Sequence, residues 1–232
     1  MTATRDSAAQ EGAAPDSAAP GRPYQGRSAQ ERRAERRERL IGAAVQQYGT
    51  RGFRATTVRD ICGAARVTQR YFYEAFSGRE ALLCAASAAT TDVLRAQALR
   101  AAQGGQTTPE RVRAASLAYF THLRAHPEVA RLTLFEMEGV SAEVDAFHRA
   151  DLRKTTELIR DLLFARPGEG GATSPDLSPD LLARGLLGAM YQLAKEWTHA
   201  GFDETPETMA RHLQVIGVGT WQQVSPPEGK RG

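Results

Sequence analysis

The chain has 232 residues, 41% of them hydrophobic, enough to pack a small N-terminal unit beside a larger body. It has no run of about 18 apolar residues and no apolar centre of a secretory signal near its start, so a cytoplasmic protein without membrane contact is expected. The formal net charge of +3 is uneven, because residues 28–84 hold 11 basic and 6 acidic side chains while residues 85–232 hold 16 and 18. A short basic segment on a near-neutral body is the charge footprint of a nucleic-acid reader, although a solvated basic face would look the same.

Residues 1–27, rich in Ala, Ser, Gly, Pro and Gln, read as a disordered tail whose Arg22 and Arg27 could reach a phosphate. A first helix is predicted from Ser28 to Tyr48, with Leu40, Ile41, Ala44, Val45 and Tyr48 at helical spacing. Gly49 is expected to end it, and Gly52-Phe53 to make the turn. A second helix spans Thr57 to Ala65, where Thr57 and Asp60 form a capping-box pattern. After a break at Arg66-Val67, Thr68 is expected to cap a third helix, Gln69 to Ala75, with Phe72 and Phe76 turned inward. A long fourth helix runs from Gly78 towards Gln103.

The rest of the chain also reads as helix, and no strand pattern or repeat is visible. Segments 108–125, 129–137, 142–164, 179–199 and 206–224 carry apolar stripes, and Gly, Pro and Ser fill a loop at 167–178. The tail 225–232 reads as loose. The expected fold is all-α, with a three-helix N-terminal domain at 34–94, its helix-turn-helix at about 57–76, and a C-terminal helical domain at 95–224.

The residues that carry most information stand in a fixed order: Leu40-Ile41, Ala43-Ala44, Tyr48-Gly49, Gly52-Phe53, Thr56-Thr57-Val58, Asp60-Ile61, Ala65, Val67-Thr68, Phe72-Tyr73, Phe76, Arg79-Glu80 and Leu82-Leu83. In this set residues 34–94 resemble the DNA-binding domain of the TetR (tetracycline-repressor) family. Residues 95–232 resemble the family only in being helical. The resemblance implies a transcriptional regulator, most often a repressor, that acts as a homodimer on a near-palindromic double-stranded DNA operator and is released by a small-molecule effector.

A major groove admits one α-helix, so the exposed side of the third helix is the candidate reader. Gln69 and Arg70 stand at its N-terminal end, suited to bidentate contacts with adenine and guanine. Tyr71 could touch a thymine methyl or a sugar. Thr57 could offer its hydroxyl and backbone N–H to a phosphate. By the resemblance, Tyr73 and Arg79 are phosphate contacts. Three positions depart from the family pattern: Arg66 where a turn glycine is common, Ala75 where His is frequent, and Arg79 where Lys is frequent.

In the C-terminal part Phe120, Phe135, Met137, Phe147, Tyr191 and Trp197 are either core or the lining of an apolar effector cavity. Glu136 and Glu138 could meet a cationic ligand or face water. His122 and His126 share a helical face, but Glu128 reads as lying beyond Pro127 and off it, so no metal site and no cofactor are expected. Cys62 falls on a core face, and Cys84 is a candidate redox position. Gly185, Gly188 and Ala189 would let a helix approach a partner closely, with the last two helices forming a dimeric bundle. No nucleophile–base pair, phosphate loop or metal signature argues for an enzyme. The remaining alternative is an architectural DNA-binding protein without a ligand.

Overall fold

The computed structural model describes residues 28–164 and 177–224. The two expected tails and most of the loop at 167–178 lie outside the described residues. Within them the chain forms α1 (Ala29–Arg51), α2 (Val58–Ala65), α3 (Gln69–Ala75), α4 (Arg79–Ala102), α5 (Thr108–Ala125), α6 (Pro127–Phe135), α7 (Ala142–Phe164), α8 (Pro179–His199) and α9 (Pro206–Val224), with no strand among the described residues.

Local chemistry sets several of the boundaries. Ser28, Thr57 and Thr107 each accept the backbone N–H of the acidic residue three positions on, and that acid's carboxylate returns the bond to the cap's own N–H. Thr68 stands at the N-cap position of α3, but its hydroxyl makes no capping bond; only its carbonyl engages the helix, accepting the Phe72 N–H at 3.2 Å. The sixth helix starts at Pro127 rather than Val129, since the fixed φ of proline suits a first helical residue, and it ends at Phe135, leaving Met137 outside.

Gly49 does not end α1. The helix continues to Arg51, and Gly52, at φ 87°, closes it by donating its N–H to Tyr48 O at 3.0 Å. Gly49 serves a close approach instead: a Cβ there would lie 2.1 Å from the Glu128 carbonyl oxygen, where α1 packs on α6. Arg66 adopts the left-handed conformation, φ 52° and ψ 47°, that lets the Val67 N–H reach back to Cys62 O at 3.0 Å.

Two cores result. In the first, α1–α3 and the start of α4 surround Leu40, Tyr48, Ile61, Phe72, Phe76 and Leu82, and Leu132, Met137 and Val144 enter it from the C-terminal part. The second joins the far half of α4 to α5–α9 around Phe120, Leu123, Ile159, Leu187 and Trp197. The expected domain boundary at 94/95 therefore falls within α4, whose Leu82 and Leu83 serve one core and Leu94 the other.

Two substitutions test these turns. Gly49→Ala forces the α1–α6 contact apart and is expected to lower unfolding stability by about 2–3 kcal/mol, read from the urea midpoint; an unchanged midpoint would refute the close-approach role. Arg66→Gly removes the left-handed strain and, after the entropy that glycine brings to the unfolded chain, should stabilise by about 0.5 kcal/mol. A clear loss of stability would mean that the Arg66 side chain, not the backbone, holds the turn.

Candidate nucleic-acid interface and interior cavity

The helix-turn-helix is presented by its buried half. Phe72 and Phe76 are buried with Ile61 and Leu40, which anchors α3 and turns Gln69, Arg70, Tyr71, Tyr73 and Glu74 to solvent. Arg70 is held by Glu74 at 3.1 Å across one helical turn, an exposed pair weak enough to exchange for another acceptor. The guanidinium of Arg36 on α1 lies 4.2 Å from the centre of the Tyr71 ring, which fixes that ring on the α1 side. The edge-on contact of Tyr73 with Phe72, centroids 5.1 Å apart, leaves Tyr73 largely exposed. Around this surface Arg51, Arg54, Arg59 and Arg66 are exposed, so the basic surplus of the segment is displayed rather than buried.

Two candidate contacts are already engaged within the chain. The Thr57 N–H donates to Asp60 Oδ2 at 2.9 Å, and its hydroxyl donates to the same oxygen at 2.7 Å. Thr57 thus serves the cap, and its N–H is not free for a phosphate as the sequence suggested. These bonds, with Arg51 beside them, hold the Asp60 carboxyl below the usual carboxylate range. Arg79 donates from Nη1 to the Thr56 carbonyl and lies 4.6 Å from the Phe53 ring centre. Its own carbonyl accepts the Tyr48 hydroxyl at 3.3 Å. The sequence pattern marked Arg79 as a phosphate contact; in the fold it braces the start of α4 against the α1–α2 turn.

The C-terminal part encloses a cavity of about 100 Å³ between α4, α5, α7 and α8, with α6 and α9 at its edges. Its walls are mostly aliphatic, among them Leu94, Val112, Leu158, Leu162, Leu186 and Met190. Of the six residues expected to line such a cavity, Tyr191 does so, and the other five are placed elsewhere. Phe120 and Trp197 stack edge-on in the core, centroids 5.5 Å apart, and the Trp197 indole donates to Glu204 O. Phe135 packs on His199 and Lys195. Met137 and Phe147 belong to the N-terminal core. Residue type marked them as apolar, but the helical phase of Phe120, Phe135, Phe147 and Trp197, and the place of Met137 in the turn after α6, face them away from the cavity, and the phase of α7 brings in His148, Asp151, Leu152 and Thr155.

Several charged groups that sequence left open find partners. Glu136 accepts the Phe53 N–H at 2.7 Å, and Glu138 pairs with Lys195 at 3.4 Å. Glu128 lies 3.6 Å from His126 Nδ1, so it is not off the histidine face, but its carboxylate also takes the Gln46 amide at 3.0 Å. No group of three potential metal ligands occurs among the described residues. Cys62 is buried, and burial, with Glu143 and Glu80 nearby, pushes the Cys84 thiol up, away from the thiolate a redox switch needs. No described helix is long and apolar enough to cross a membrane.

Comparison with known proteins agrees with the geometry. Residues 40–86 match the family of bacterial regulatory proteins, tetR family. The structure is similar to that of the fatty acid degradation regulator FadR from Bacillus halodurans, with 18% identity, a TM-score of 0.71 and coverage of 79% of this chain and 95% of that one. It is also similar to the transcriptional regulator FadR from Bacillus subtilis in complex with stearoyl-CoA (15% identity, TM-score 0.69, 78% and 98% covered). A bacterial regulatory protein in the tetR family from Rhodococcus RHA1 has 21% identity and a TM-score of 0.62, over 83% and 98% of the two chains. No curated protein sequence matches at a significant level. Residues 40–86 thus match the N-terminal domain of the tetR family of bacterial regulatory proteins, and the chain as a whole shares the fold of these solved regulators.

Proposed function

We propose that this protein is a homodimeric repressor that binds a near-palindromic operator through α3 and releases it when a small molecule occupies the interior cavity. The observation that carries the DNA-binding half is the exposed face of α3, rooted on buried Phe72 and Phe76 and flanked by displayed arginines. Gln69, Arg70 and Tyr71 are the proposed base readers, Tyr73 a phosphate contact, and Thr57 and Arg79 positioning residues for the helices that present them.

A single α3 reads too few bases, and two copies about 34 Å apart reach successive major grooves. The exposed faces of α8 and α9 suit the required partner copy. Leu181 is 63% and Val215 68% exposed, although both are large and apolar. Gly185, Gly188 and Gly219 have nothing within 4 Å of where a Cβ would stand, so packing within the chain does not need them small. A second copy laid on this face would make use of both features.

The effector half rests on the cavity. Sites for drug-sized ligands measure about 300–1,000 Å³, so an occupant of the cavity of about 100 Å³ must spread its walls. One wall is α4, whose first residue clasps the Thr56 carbonyl under the helix-turn-helix. A ligand that prefers the spread state by a few kcal/mol would shift the spacing of the two α3 helices away from the DNA-binding one. The regulator from Bacillus subtilis, which was crystallised with stearoyl-CoA, offers a precedent for a ligand in a similar fold.

The first measurement is fluorescence anisotropy with the DNA upstream of the protein's own gene against scrambled DNA at physiological salt. A preference of about a thousandfold is expected. The pair Arg70→Ala and Tyr71→Ala should remove that preference while leaving the dimer intact, and specific binding that survives it would remove α3 as the reader. In sedimentation velocity, Leu181→Glu combined with Val215→Glu should yield folded monomers; a persistent dimer would place the interface elsewhere.

A further inference from the structure

Among the described residues, four polar side chains that line the cavity have no hydrogen-bond partner. The Thr91 and Thr133 hydroxyls donate to carbonyls one turn back in their helices, and the Tyr191 hydroxyl donates to Thr133 O. Arg95 donates to Asp92 at 2.6 Å, to Asp151 at 2.9 Å and to Thr155 at 3.3 Å, and Lys154 adds a second cation 3.8 Å from Asp151. The Tyr119 hydroxyl, on a half-buried ring, is one of these, and the more deeply buried Ser87, Ser116 and His148 are the others. The last three are only 2%, 7% and 8% exposed, they line the cavity, and their side chains make no hydrogen bond among the described residues. No fully buried side-chain nitrogen or oxygen lacks a partner among the described residues, so the polar atoms of these three reach the cavity, where an occupant can bond them.

Position unites two of the three. Helices α4 and α7 are joined by Glu80 to Ser141 and by Arg95 to Asp151. Ser87 lies between the two ties on α4, and His148 lies between them on α7, so both stand on the same stretch of one seam. Ser116 faces the cavity from α5. Beyond the Arg95–Asp151 pair the walls turn aliphatic with Ala98, Leu158 and Leu162.

The charges lining this space are already matched. The one lining guanidinium and the one lining carboxylate bind each other. Burial holds the His148 imidazole below its usual range, against the opposing pull of Glu138, Asp151 and Asp145 and with the help of Lys195. A carboxylate or an ammonium entering here would shed its water without gaining a free counterion. A neutral imidazole and a hydroxyl, in contrast, can each donate or accept.

We infer that the effector is a neutral, mainly apolar molecule whose hydroxyl or carbonyl oxygen is held by Ser87 and His148 while its hydrocarbon part lies among the aliphatic residues beyond Arg95. The inference rests on the reading of this cavity as the effector site, and it defines the chemistry of that site.

Titration calorimetry of the full chain at pH 8 with 1-octanol, octanoate and octylammonium tests it. Octanol is expected to bind at least tenfold more tightly than either ion. His148→Leu and Ser87→Ala should each weaken octanol about fivefold. Their melting temperatures should change little, because neither side chain holds a hydrogen bond within the protein; a residue that merely supported the fold would lower both readouts. If His148→Leu does not fold, Ser87→Ala alone decides. Equal or tighter binding of an ion, no binding of any of the three, or octanol affinity unchanged in the variants would overturn the inference. The regulatory reading fails separately: octanol bound as expected but without effect on operator anisotropy would refute release by the cavity and leave its chemistry standing.

Discussion

The junction of α1 with α6 is the constraint on which the rest depends. Gly49 lets the α1 backbone rest on the Glu128 carbonyl, and the Glu136 carboxylate, at the other end of α6, takes the Phe53 N–H that follows α1. Between these two points Leu132 is buried in the N-terminal core. A reader helix must hold its angle to the partner's reader helix, and the partner contacts proposed for α8 and α9 lie far along the chain. This junction is one route by which orientation can pass, and close backbone packing transmits displacement because interiors are too dense to absorb it.

The same helix faces the cavity. Thr133 lines it, and the Thr133 carbonyl accepts the Tyr191 hydroxyl, while Leu132, one residue earlier, sits in the opposite core. Adjacent residues of one short helix thus touch the two spaces that the proposed mechanism has to connect. Helix α4 makes the second connection, from Arg79 at the Thr56 carbonyl to Ser87 and Arg95 at the cavity. In the proposed mechanism these two elements act in parallel, and neither alone needs to carry the whole displacement.

Sequence made the N-terminal domain legible because its determinants are local. The Thr57–Asp60 box, the inward pair Phe72 and Phe76, and the left-handed position at Arg66 can all be read within a few residues. Gly49 was misread for the same reason: a glycine after an apolar stripe usually ends a helix, and the Glu128 backbone that requires it is distant in the chain. In the C-terminal part, hydrophobic type marked Phe120, Trp197 and Met137, but only the helix crossings decide which side of an amphipathic helix meets a void. His148 was equally visible as a polar residue on the apolar stripe of α7, and its significance appears only when Ser87 and Ser116 are found unpartnered around the same space. Thr57 and Arg79, read from sequence as phosphate contacts, have internal acceptors in the fold that sequence could not show.

The unsatisfied groups also bear on why the cavity persists. A cavity this small, lined largely by leucine, would be closed by modest side-chain rearrangement if closure were free, and filling it with one larger aliphatic residue would add dispersion contacts. Closure would, however, press Ser87, Ser116 and His148 against hydrocarbon without any partner, at a cost that grows as the last access to water is lost. The Arg95–Asp151 pair adds to this by keeping charged side chains, rather than closely packed hydrocarbon, between α4 and α7 at this level. The space is thus held open by polar groups on its walls, and a molecule that satisfies them while filling the aliphatic end gains both contributions at once. In the proposed mechanism such a ligand would favour a state in which the cavity walls stand further apart, and that state would move the reader helices.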